Sequence, residues 1–446
     1  MRRAATLSVA LLASLAMAVP AGAAPTASLV KDIRPGSADS TPLNITRFQG
    51  KVFFAATDAS HGSELWKSNG TAAGTQLVKD ICPGSCSSAP GAPRSQAAWV
   101  PPESSDIASV GGRLFFTAYD TNHGVALWRS DGTAAGTKLV KDVYPLANNE
   151  RHLGDLTGVG STLYFWADDL TSHGPALWKS DGTTAGTKLV KDPVPGSGSS
   201  PAPSHLTNVQ GTLYFTVGGD LWKSDGTGTG TTMVAATPNP SRLTAVADKL
   251  FFAAGPGPDL WTSDGTGPGT HVVPGSPAKP QGLTSFMGKV FFGGWDGTWR
   301  VWGSDGTMVG TQPIQDVNGG GASLTTAGGA LYFDRSDTLW KSDGTMMGTQ
   351  VLTTSAGPTF YHLSSANGLV FIQALANYPS SQLWSSDGTP TGTQLVKDFA
   401  AQPEGLPKRS FQLRAPFANV GGTLYFASAD YTVAHPRGQE LWKAVP

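Results

Sequence analysis

The sequence predicts an all-β protein, a single β-propeller of nine four-stranded blades, and three observations lead to that fold. Nine Trp residues recur at intervals of 62, 50, 44, 39, 41, 38, 44 and 58 residues, and the central intervals match the roughly 40–50 residues of a propeller blade. Each Trp stands in a short apolar phrase bounded by turn-forming residues, which is typical of strands. The two ends of the chain carry complementary parts of one repeat. Eight blades, with one degraded copy, is the alternative count.

The repeat consists of four phrases in fixed order, which we name strands a to d. Strand a reads Leu-Thr-x-Val, strand b Leu-Tyr-Phe or Val-Phe-Phe, strand c Leu-Trp, and strand d Leu-Val-Lys-Asp. The phrase of strand b recurs at Phe54, Phe116, Phe165, Phe215, Phe252, Phe292, Phe333, Phe371 and Phe426. The Trp of strand c recurs at Trp66, Trp128, Trp178, Trp222, Trp261, Trp302, Trp340, Trp384 and Trp442. Strand d begins at Leu29, Leu77, Leu139, Leu189 and Leu395, with degraded copies near Val234, Val272, Ile314 and Leu352.

The connections and the pattern of strand b favour stacked blades. Val-Gly-Gly separates strands a and b at 110–112 and 420–422, and Asp-Gly-Thr-x-x-Gly-Thr separates strands c and d. Gly and Asp accept the backbone conformations of tight hairpins. Strand b is apolar at consecutive positions, which indicates cover on both faces, whereas a sandwich would leave one face wet and show alternation.

The chain ends predict how the ring closes. After the leader the chain opens with a lone strand d, 29–32, and it finishes with strands a, b and c at Leu441-Trp442-Lys443. The N-terminal strand is therefore expected to join the C-terminal blade, which protects otherwise open sheet edges. Residues 24–446 then form one propeller domain.

Residues 1–23 read as a signal peptide. Arg2 and Arg3 precede an apolar stretch over 4–19, and Pro20-Ala21-Gly22-Ala23 supplies small residues for cleavage. The expectation is a soluble protein that is secreted, or placed in the periplasm or at the cell surface of a bacterium. No later stretch approaches the roughly 20 apolar residues of a membrane helix, so no membrane span is predicted.

Charge and cysteine content exclude several classes of protein. Without residues 1–23, 29 basic and 32 acidic residues leave a net charge of −3, which lacks the basic field that nucleic acid binding requires. The two cysteines, Cys82 and Cys86, are predicted to form a local disulfide in an oxidising compartment. Two thiols are too few for a zinc site, and no metal or other cofactor is predicted.

The repeated phrase resembles that of the ELWxxDGT repeat family of secreted bacterial, hyalin-like proteins. The fullest copy is Glu64-Leu65-Trp66-Lys67-Ser68-Asn69-Gly70-Thr71, with Asn in place of Asp, and Glu440-Leu441-Trp442 matches the opening. The other seven copies keep Trp and Asp-Gly-Thr but vary before them. The resemblance covers nearly all of the mature chain and implies an exported repeat protein, but no particular activity.

We interpret the turn aspartates and the Trp residues of the repeat as structural residues. The turn aspartates could form calcium sites, but each turn offers a single carboxylate, so hydrogen bonds within the turn are the preferred interpretation. The turn aspartates are Asp131, Asp181, Asp225, Asp264, Asp305, Asp343 and Asp387. The repeat Trp residues could stack on sugar, but their place in every strand c predicts packing between blades.

Candidate ligand-binding residues lie where the repeats differ. Three long d–a connections, 81–107, 143–152 and 399–412, fall in the first and last repeats, which ring closure makes neighbours. The d–a and b–c loops of a propeller share one face, and loops on a rigid scaffold often carry binding. The residues predicted on this sector are Trp99, Tyr119, Tyr431, His61, His123, His173 and His435. Trp295 and Trp299, in a Trp-Asp-Gly-Thr-Trp hairpin, form a secondary candidate for sugar stacking.

These features predict a non-catalytic, exported scaffold that recognises a protein or glycan partner at the cell surface or in the matrix. No catalytic residues are predicted, since no Ser/His/Asp arrangement stands apart from the repeats and the Arg residues are scattered. One alternative is a hydrolase or lyase acting on polysaccharide in the central funnel. Another is a purely structural envelope or matrix protein.

Overall fold

The prediction of nine blades is confirmed by the computed structural model, which describes residues 24–91, 106–144, 153–169, 174–195, 201–317, 323–335, 337–353, 358–375, 381–399, 414–430 and 437–446. These residues form nine four-stranded antiparallel sheets, and they include no helix. Strands a, b, c and d follow one another in each sheet, as the order of the four phrases predicts.

The strands are numbered in chain order, and four consecutive strands make each of the first eight blades. Blade 1 holds β2 (Leu43–Phe48), β3 (Lys51–Thr57), β4 (Ser63–Ser68) and β5 (Gln76–Lys79); blade 2 holds β6 (Ile107–Val110), β7 (Arg113–Asp120), β8 (Gly124–Ser130) and β9 (Lys138–Lys141); blade 3 holds β10 (Leu153–Val159), β11 (Thr162–Ala167), β12 (Ala176–Ser180) and β13 (Lys188–Lys191). Blade 4 holds β14 (Ser204–Val209), β15 (Thr212–Val217), β16 (Asp220–Ser224) and β17 (Thr232–Ala235); blade 5 holds β18 (Ser241–Val246), β19 (Lys249–Ala254), β20 (Asp259–Ser263) and β21 (His271–Val272); blade 6 holds β22 (Ala278–Phe286), β23 (Lys289–Trp295), β24 (Trp299–Ser304) and β25 (Gln312–Asp316). Blade 7 holds β26 (Leu324–Ala327), β27 (Ala330–Arg335), β28 (Thr338–Ser342) and β29 (Gln350–Thr353); blade 8 holds β30 (Thr359–Ala366), β31 (Leu369–Leu375), β32 (Ser381–Ser386) and β33 (Gln394–Phe399); blade 9 holds β34 (Arg414–Val420), β35 (Thr423–Asp430), β36 (Arg437–Val445) and β1 (Thr26–Lys31).

Strands b and c keep one register around the ring. The repeat Phe of strand b lies opposite the repeat Trp of strand c, as Phe54 lies opposite Trp66. Blade 8 differs, because Ile372 rather than Phe371 lies opposite Trp384. The pattern Val-Phe-Ile shifts the aromatic residue by one position there, and Phe371 points to the other face of the blade.

The ring closes as the chain ends predict. Strand β1 pairs antiparallel with β36, with Thr26 opposite Val445 and Leu29 opposite Trp442. The ninth sheet is therefore built from both ends of the chain. The backbone hydrogen bonds of this one sheet therefore join the two ends of the chain and close the ring.

The hydrophobic core lies between blades, where consecutive strand-b residues serve opposite faces. Phe53 and Phe54 are both almost completely buried. Phe54 packs with residues of blade 9, and Phe53 packs with residues of blade 2. Each strand a also contacts strand a of the next blade, so these nine strands surround the axis.

Candidate functional site

The side chains of the repeated c–d turns are occupied by hydrogen bonds of the turn itself. In the turn of blade 2, Asp131 Oδ1 accepts hydrogen bonds from the Thr133 backbone N–H at 2.9 Å and from Thr133 Oγ1 at 2.7 Å. Thr133 Oγ1 in turn accepts from Gly136 N–H at 3.0 Å. Hydrogen bonds from Thr133 hold the pKa of the Asp131 carboxyl below its ordinary value. The same pattern recurs at the other predicted turn aspartates, and Asn69 makes it in blade 1.

Two lysines of the repeat tie neighbouring blades together. The Lys after the repeat Trp donates to a Gly carbonyl in the next blade's turn, as Lys223 Nζ does to Gly265 O at 2.8 Å. The Lys of strand d reaches the following blade, as Lys79 Nζ donates to Thr137 O at 2.9 Å and lies 5.8 Å from the ring centroid of Trp128. Cation–π contacts of this kind stabilise by about 0.5–2 kcal/mol. The repeated phrase therefore builds the ring and joins its blades.

Two buried glutamates anchor d–a connections near the closure of the ring. Glu64 accepts hydrogen bonds from the backbone N–H groups of Ile81 at 2.9 Å and Cys82 at 3.2 Å, and from Ser88 Oγ at 2.6 Å. Its side chain is fully buried, and burial raises the pKa of the Glu64 carboxyl. One carboxylate thus fixes both ends of the 81–88 segment to strand c of blade 1.

Glu440 does the same for the connection that follows β1. It accepts from Ile33 N–H at 2.9 Å and from Ser40 Oγ at 2.7 Å, and burial raises its pKa to about 7. The glycine two residues earlier completes the motif, because a Cβ at Gly438 would collide with the Ala38 carbonyl. Gly62 stands in the same position before Glu64 and touches Cys86. Gly-x-Glu-Leu-Trp is therefore a docking motif for the d–a connection.

The predicted disulfide between Cys82 and Cys86 is confirmed, with their Cα atoms 5.3 Å apart. It lies within the segment that Glu64 anchors. This part of the 81–107 connection is thereby fixed by a covalent bond as well as by hydrogen bonds.

The two described loop histidines each pair with an aspartate three residues earlier. His61 Nδ1 lies 2.9 Å from Asp58 Oδ2, and His123 Nδ1 lies 2.8 Å from Asp120 Oδ2. The hydrogen bond with Asp58 raises the pKa of His61. His61 Nε2 also lies 4.0 Å from Asp80 Oδ2. Within the described ranges, no group of three or more His, Cys, Asp or Glu side chains is arranged to hold a metal.

The remaining candidates of this sector divide into described and undescribed residues. Tyr119 is half-buried on β7, and its N–H donates to Ser88 O at 2.9 Å, so it lies beside the anchored connection. The other four residues, Trp99, His173, Tyr431 and His435, lie outside the described residues, as do most of the 143–152 and 399–412 connections.

Trp295 and Trp299 form an aromatic pair at the b–c hairpin of blade 6. Their ring centroids are 5.7 Å apart with planes tilted by 58°, and Trp295 is 38% exposed. Arg300 Nη1 lies 2.8 Å from Asp296 Oδ2, and its Nε lies 2.6 Å from Asp316 Oδ1. An exposed ring beside fixed charged groups is suited to stack on an apolar sugar face while polar groups bind hydroxyls.

Polar residues also occupy the strand-a bulges around the axis. In consecutive blades 3 to 5, the bulge residues Asp155, His205 and Arg242 have positive φ angles of 55°, 55° and 57°. Asp106, which precedes strand a of blade 2, accepts a hydrogen bond from Asp155 N–H at 3.1 Å. These four residues place acidic and basic groups along one arc of the inner ring.

Sequence reasoning missed several of these residues for an identifiable reason. The available signal for Glu64 and Glu440 was that Gly-x-Glu-Leu-Trp occurs in two of the nine copies, at 62–66 and 438–442. The Asp-x-x-His-Gly spacing at Asp58 and Asp120 was equally visible. The hydrogen bonds that these side chains make join segments that follow no repeat, which periodicity does not reveal.

These features define a nine-bladed β-propeller in which two buried glutamates anchor the connections 33–40 and 81–88. The chain matches no protein-family model and no curated protein. Solved structures with similarity include the tricorn protease, at 14% identity and a TM-score of 0.32 over 86% of this chain and 42% of that one. Others are the puromycin hydrolase S511A mutant complexed with PGG, at 12% identity and a TM-score of 0.37 over 74% and 61%, and TolB from Agrobacterium tumefaciens, at 12% and 0.30 over 46% and 83%.

The chain spans less than two thirds of the length of the first two proteins, and similarity at this level carries no inference about activity. The described residues contain no helix long and apolar enough to cross a membrane.

Proposed function

We propose that this chain is an exported, non-catalytic propeller scaffold that recognises glycan or protein through the face bearing its b–c and d–a loops. The observation that carries the proposal is the exposed Trp295 ring beside Trp299 and the Arg300–Asp296 pair. The repeated Trp, Lys and Asp side chains already serve blade packing and turn formation. Blade packing and turn formation do not account for Trp295, because it stands outside the repeat and keeps a large exposed surface.

The anchored connections of the closure sector support the same proposal. Glu64, Glu440 and the disulfide fix connections whose sequence follows no repeat. Fixing a loop before binding lowers the conformational entropy lost on association. Residues 81–107 are therefore the second place where a ligand would bind.

The first test is a glycan array and a pull-down with the purified chain from residue 24, with and without calcium. Trp295→Ala should weaken glycan binding by about fivefold or more, because stacking on one aromatic ring contributes on the order of 1–3 kcal/mol. Lys188→Thr, an exposed change on blade 3, is the matched control. Retention of all binding by the Trp295 variant would place the site elsewhere.

The second test exchanges residues 92–105 for a short Gly/Ser connection, which keeps the segment that Glu64 anchors and strand β6. If this sector binds a protein partner, the exchange should abolish the pull-down while the circular dichroism spectrum stays that of the parent. A folded variant that binds as well as the parent would exclude the sector.

The arc of Asp106, Asp155, His205 and Arg242 favours a second candidate function, a polysaccharide hydrolase or lyase in the central funnel. Two carboxyl groups are what glycoside hydrolysis uses, and Asp106 and Asp155 lie in neighbouring blades. Release of reducing ends or unsaturated sugars from a polysaccharide panel, lost in Asp155→Asn, would support it. Absence of product across the panel would leave the scaffold proposal standing.

A further inference from the structure

A cationic row crosses three strands of blade 2 on the face that is turned toward blade 3. Arg129 lies opposite Phe115 on strand b and opposite Lys138 on strand d. Paired residues of neighbouring strands share a face, and Arg113 shares that face with Phe115 because it is two positions away. Phe115 packs in the core cluster with residues of blade 3. The chain separates these cations by up to 25 positions, but the register aligns them.

This row differs from its equivalents in other described blades. At the position of Arg129, blades 1, 3, 4, 7 and 9 carry a Lys that donates to the next blade's turn, as Lys179 does to Gly226 O at 2.7 Å. In blade 2 that contact is replaced, and Arg113 Nη1 donates to Asp181 O at 3.1 Å. Within the described ranges, the side chains of Arg129 and Lys138 make no hydrogen bond, so their N–H groups remain for a ligand.

The three cations line a cleft of about 410 Å³ with Gly111, Gly112 and Asp131. This size falls in the range of about 300–1,000 Å³ that ligand pockets occupy. The glycines leave the cleft wide because they carry no side chain. The cleft opens among the a–b and c–d turns, on the face opposite the b–c and d–a loops.

Asp131 is the acidic group of the cleft, and it is largely committed to its own turn. Its Oδ1 accepts from Thr133 at 2.9 and 2.7 Å. Hydrogen bonds from Thr133 lower the pKa of Asp131, and Arg129 lowers it further. Arg113 also acts on the Asp181 carboxylate in the turn of blade 3, so three cations against two carboxylates leave the cleft with a net positive charge.

We propose that this cleft is an oxyanion site that takes a carboxylate- or sulfate-bearing ligand. The planar fork of Arg129 provides paired N–H donors for such groups, the N–H groups of Arg113 that do not bind Asp181 O add to them, and Lys138 supplies a third charge. The same chemistry is offered by a free anion and by an acidic unit of a polysaccharide. The site lies among the a–b and c–d turns and Trp295 lies in a b–c hairpin, so it stands independently of the recognition face.

The test variant R113T/R129K/K138T gives blade 2 the residues that blade 4 carries at these positions, Thr212, Lys223 and Thr232. Because blade 4 folds with that set, the variant is expected to keep the parent's melting temperature in chloride buffer. The control K188T/K249T removes two positive charges at equivalent positions of blades 3 and 5. Both variants change net charge equally.

Isothermal titration at constant ionic strength compares sodium sulfate, galacturonate and tetragalacturonate as probes. We expect saturable binding of sulfate or galacturonate, weakened at least tenfold in the test variant and less than twofold in the control. Tighter binding of tetragalacturonate than of galacturonate would identify a polymer-borne group, and equal affinity a free anion. Absence of saturable binding, or equal weakening in both variants, would overturn the proposal.

Discussion

At the scale of single residues, the chain contains its own test of the turn aspartates. Asn69 makes the two hydrogen bonds that Asp makes in the other turns, with Thr71 N–H at 3.1 Å and Thr71 Oγ1 at 2.8 Å. The role therefore depends on a side-chain oxygen at the right distance and does not depend on negative charge. This separates the structural interpretation from a calcium site, where the charge would matter.

The first prediction follows for Asp305, whose Oδ1 accepts from Thr307 N–H at 2.9 Å and Oγ1 at 2.7 Å. Asp305→Asn should change the free energy of unfolding by less than about 0.5 kcal/mol, and Asp305→Ala should lower it by about 1–2 kcal/mol. Urea unfolding of the three proteins measures the difference. Equal losses in both variants would show that charge is required, and calcium should then be added to the titration.

A second prediction concerns the buried carboxyl of Glu440. Burial raises its pKa from an ordinary 4.5 to about 7, so the folded protein holds this proton more tightly than the unfolded chain does. Stability from this group is fully present below pH 4.5 and is lost as pH rises through about 7. Glu440→Gln does not titrate. The stability of the parent relative to this variant should therefore fall by about 2–3 kcal/mol between pH 5 and pH 8.

Asp248→Asn is the matched control for that measurement, because Asp248 is an exposed acid on an a–b turn. Because this variant keeps Glu440, its stability should fall over the same pH range as that of the parent does. Chemical denaturation at four pH values gives both comparisons. Parallel curves for the parent and the Glu440 variant would contradict the prediction.

At the scale of strands and blades, the inter-blade lysines explain why the phrase Leu-Trp-Lys-Ser recurs. Each of the five ties joins strand c of one blade to the turn of the next, at distances from 2.7 Å for Lys179 to 3.2 Å for Lys341. Thr262 and Gly303 stand at this position in blades 5 and 6. The ties therefore add to a packed interface, and no single one is required for the ring.

The third prediction is that Lys223→Met lowers the free energy of unfolding by about 1 kcal/mol. The change removes the donor to Gly265 O at 2.8 Å but keeps most of the aliphatic stem, so the loss reports the charged hydrogen bond. Lys188→Met, at an exposed position on strand d of blade 3, should cost less than about 0.5 kcal/mol. Indistinguishable urea midpoints for the two variants would show that the tie contributes nothing.

The predictions from the sequence agree with the structure where the chain repeats, and they miss features of the structure where it does not. Blade number, strand order, the Cys82–Cys86 disulfide and closure through β1 follow from spacing and from the complementary ends. The roles of Glu64 and Glu440 were not predicted, because each depends on a connection folding back over its own blade. The cationic row of Arg113, Arg129 and Lys138 was missed for another reason: strand register, which no single phrase displays, brings these residues together.

At the scale of the whole molecule, the ring depends on one blade assembled from both chain ends. Val30 of β1 is buried in the core between blades 9 and 1. Lys31 reaches blade 1, where its Nζ donates to Thr75 O at 2.9 Å and lies 5.8 Å from the Trp66 ring centroid. Glu440 holds the segment that follows. The first strand therefore joins blade 9 to blade 1 as well as completing its sheet.

The fourth prediction is that a chain beginning at residue 35 loses the closed ring, whereas a chain beginning at residue 26 keeps it. Removal of β1 exposes the open edge of β36 and leaves the Trp66 ring without its cover, and an open edge pairs with other chains. Sedimentation should show concentration-dependent association of the shorter chain, and its melting temperature should fall. A synthetic peptide of residues 24–34 should restore the monomer, because it supplies the missing strand and the N–H groups that bind Glu440. A monomer with an unchanged melting temperature would show that the ring closes on a ninth blade of three strands.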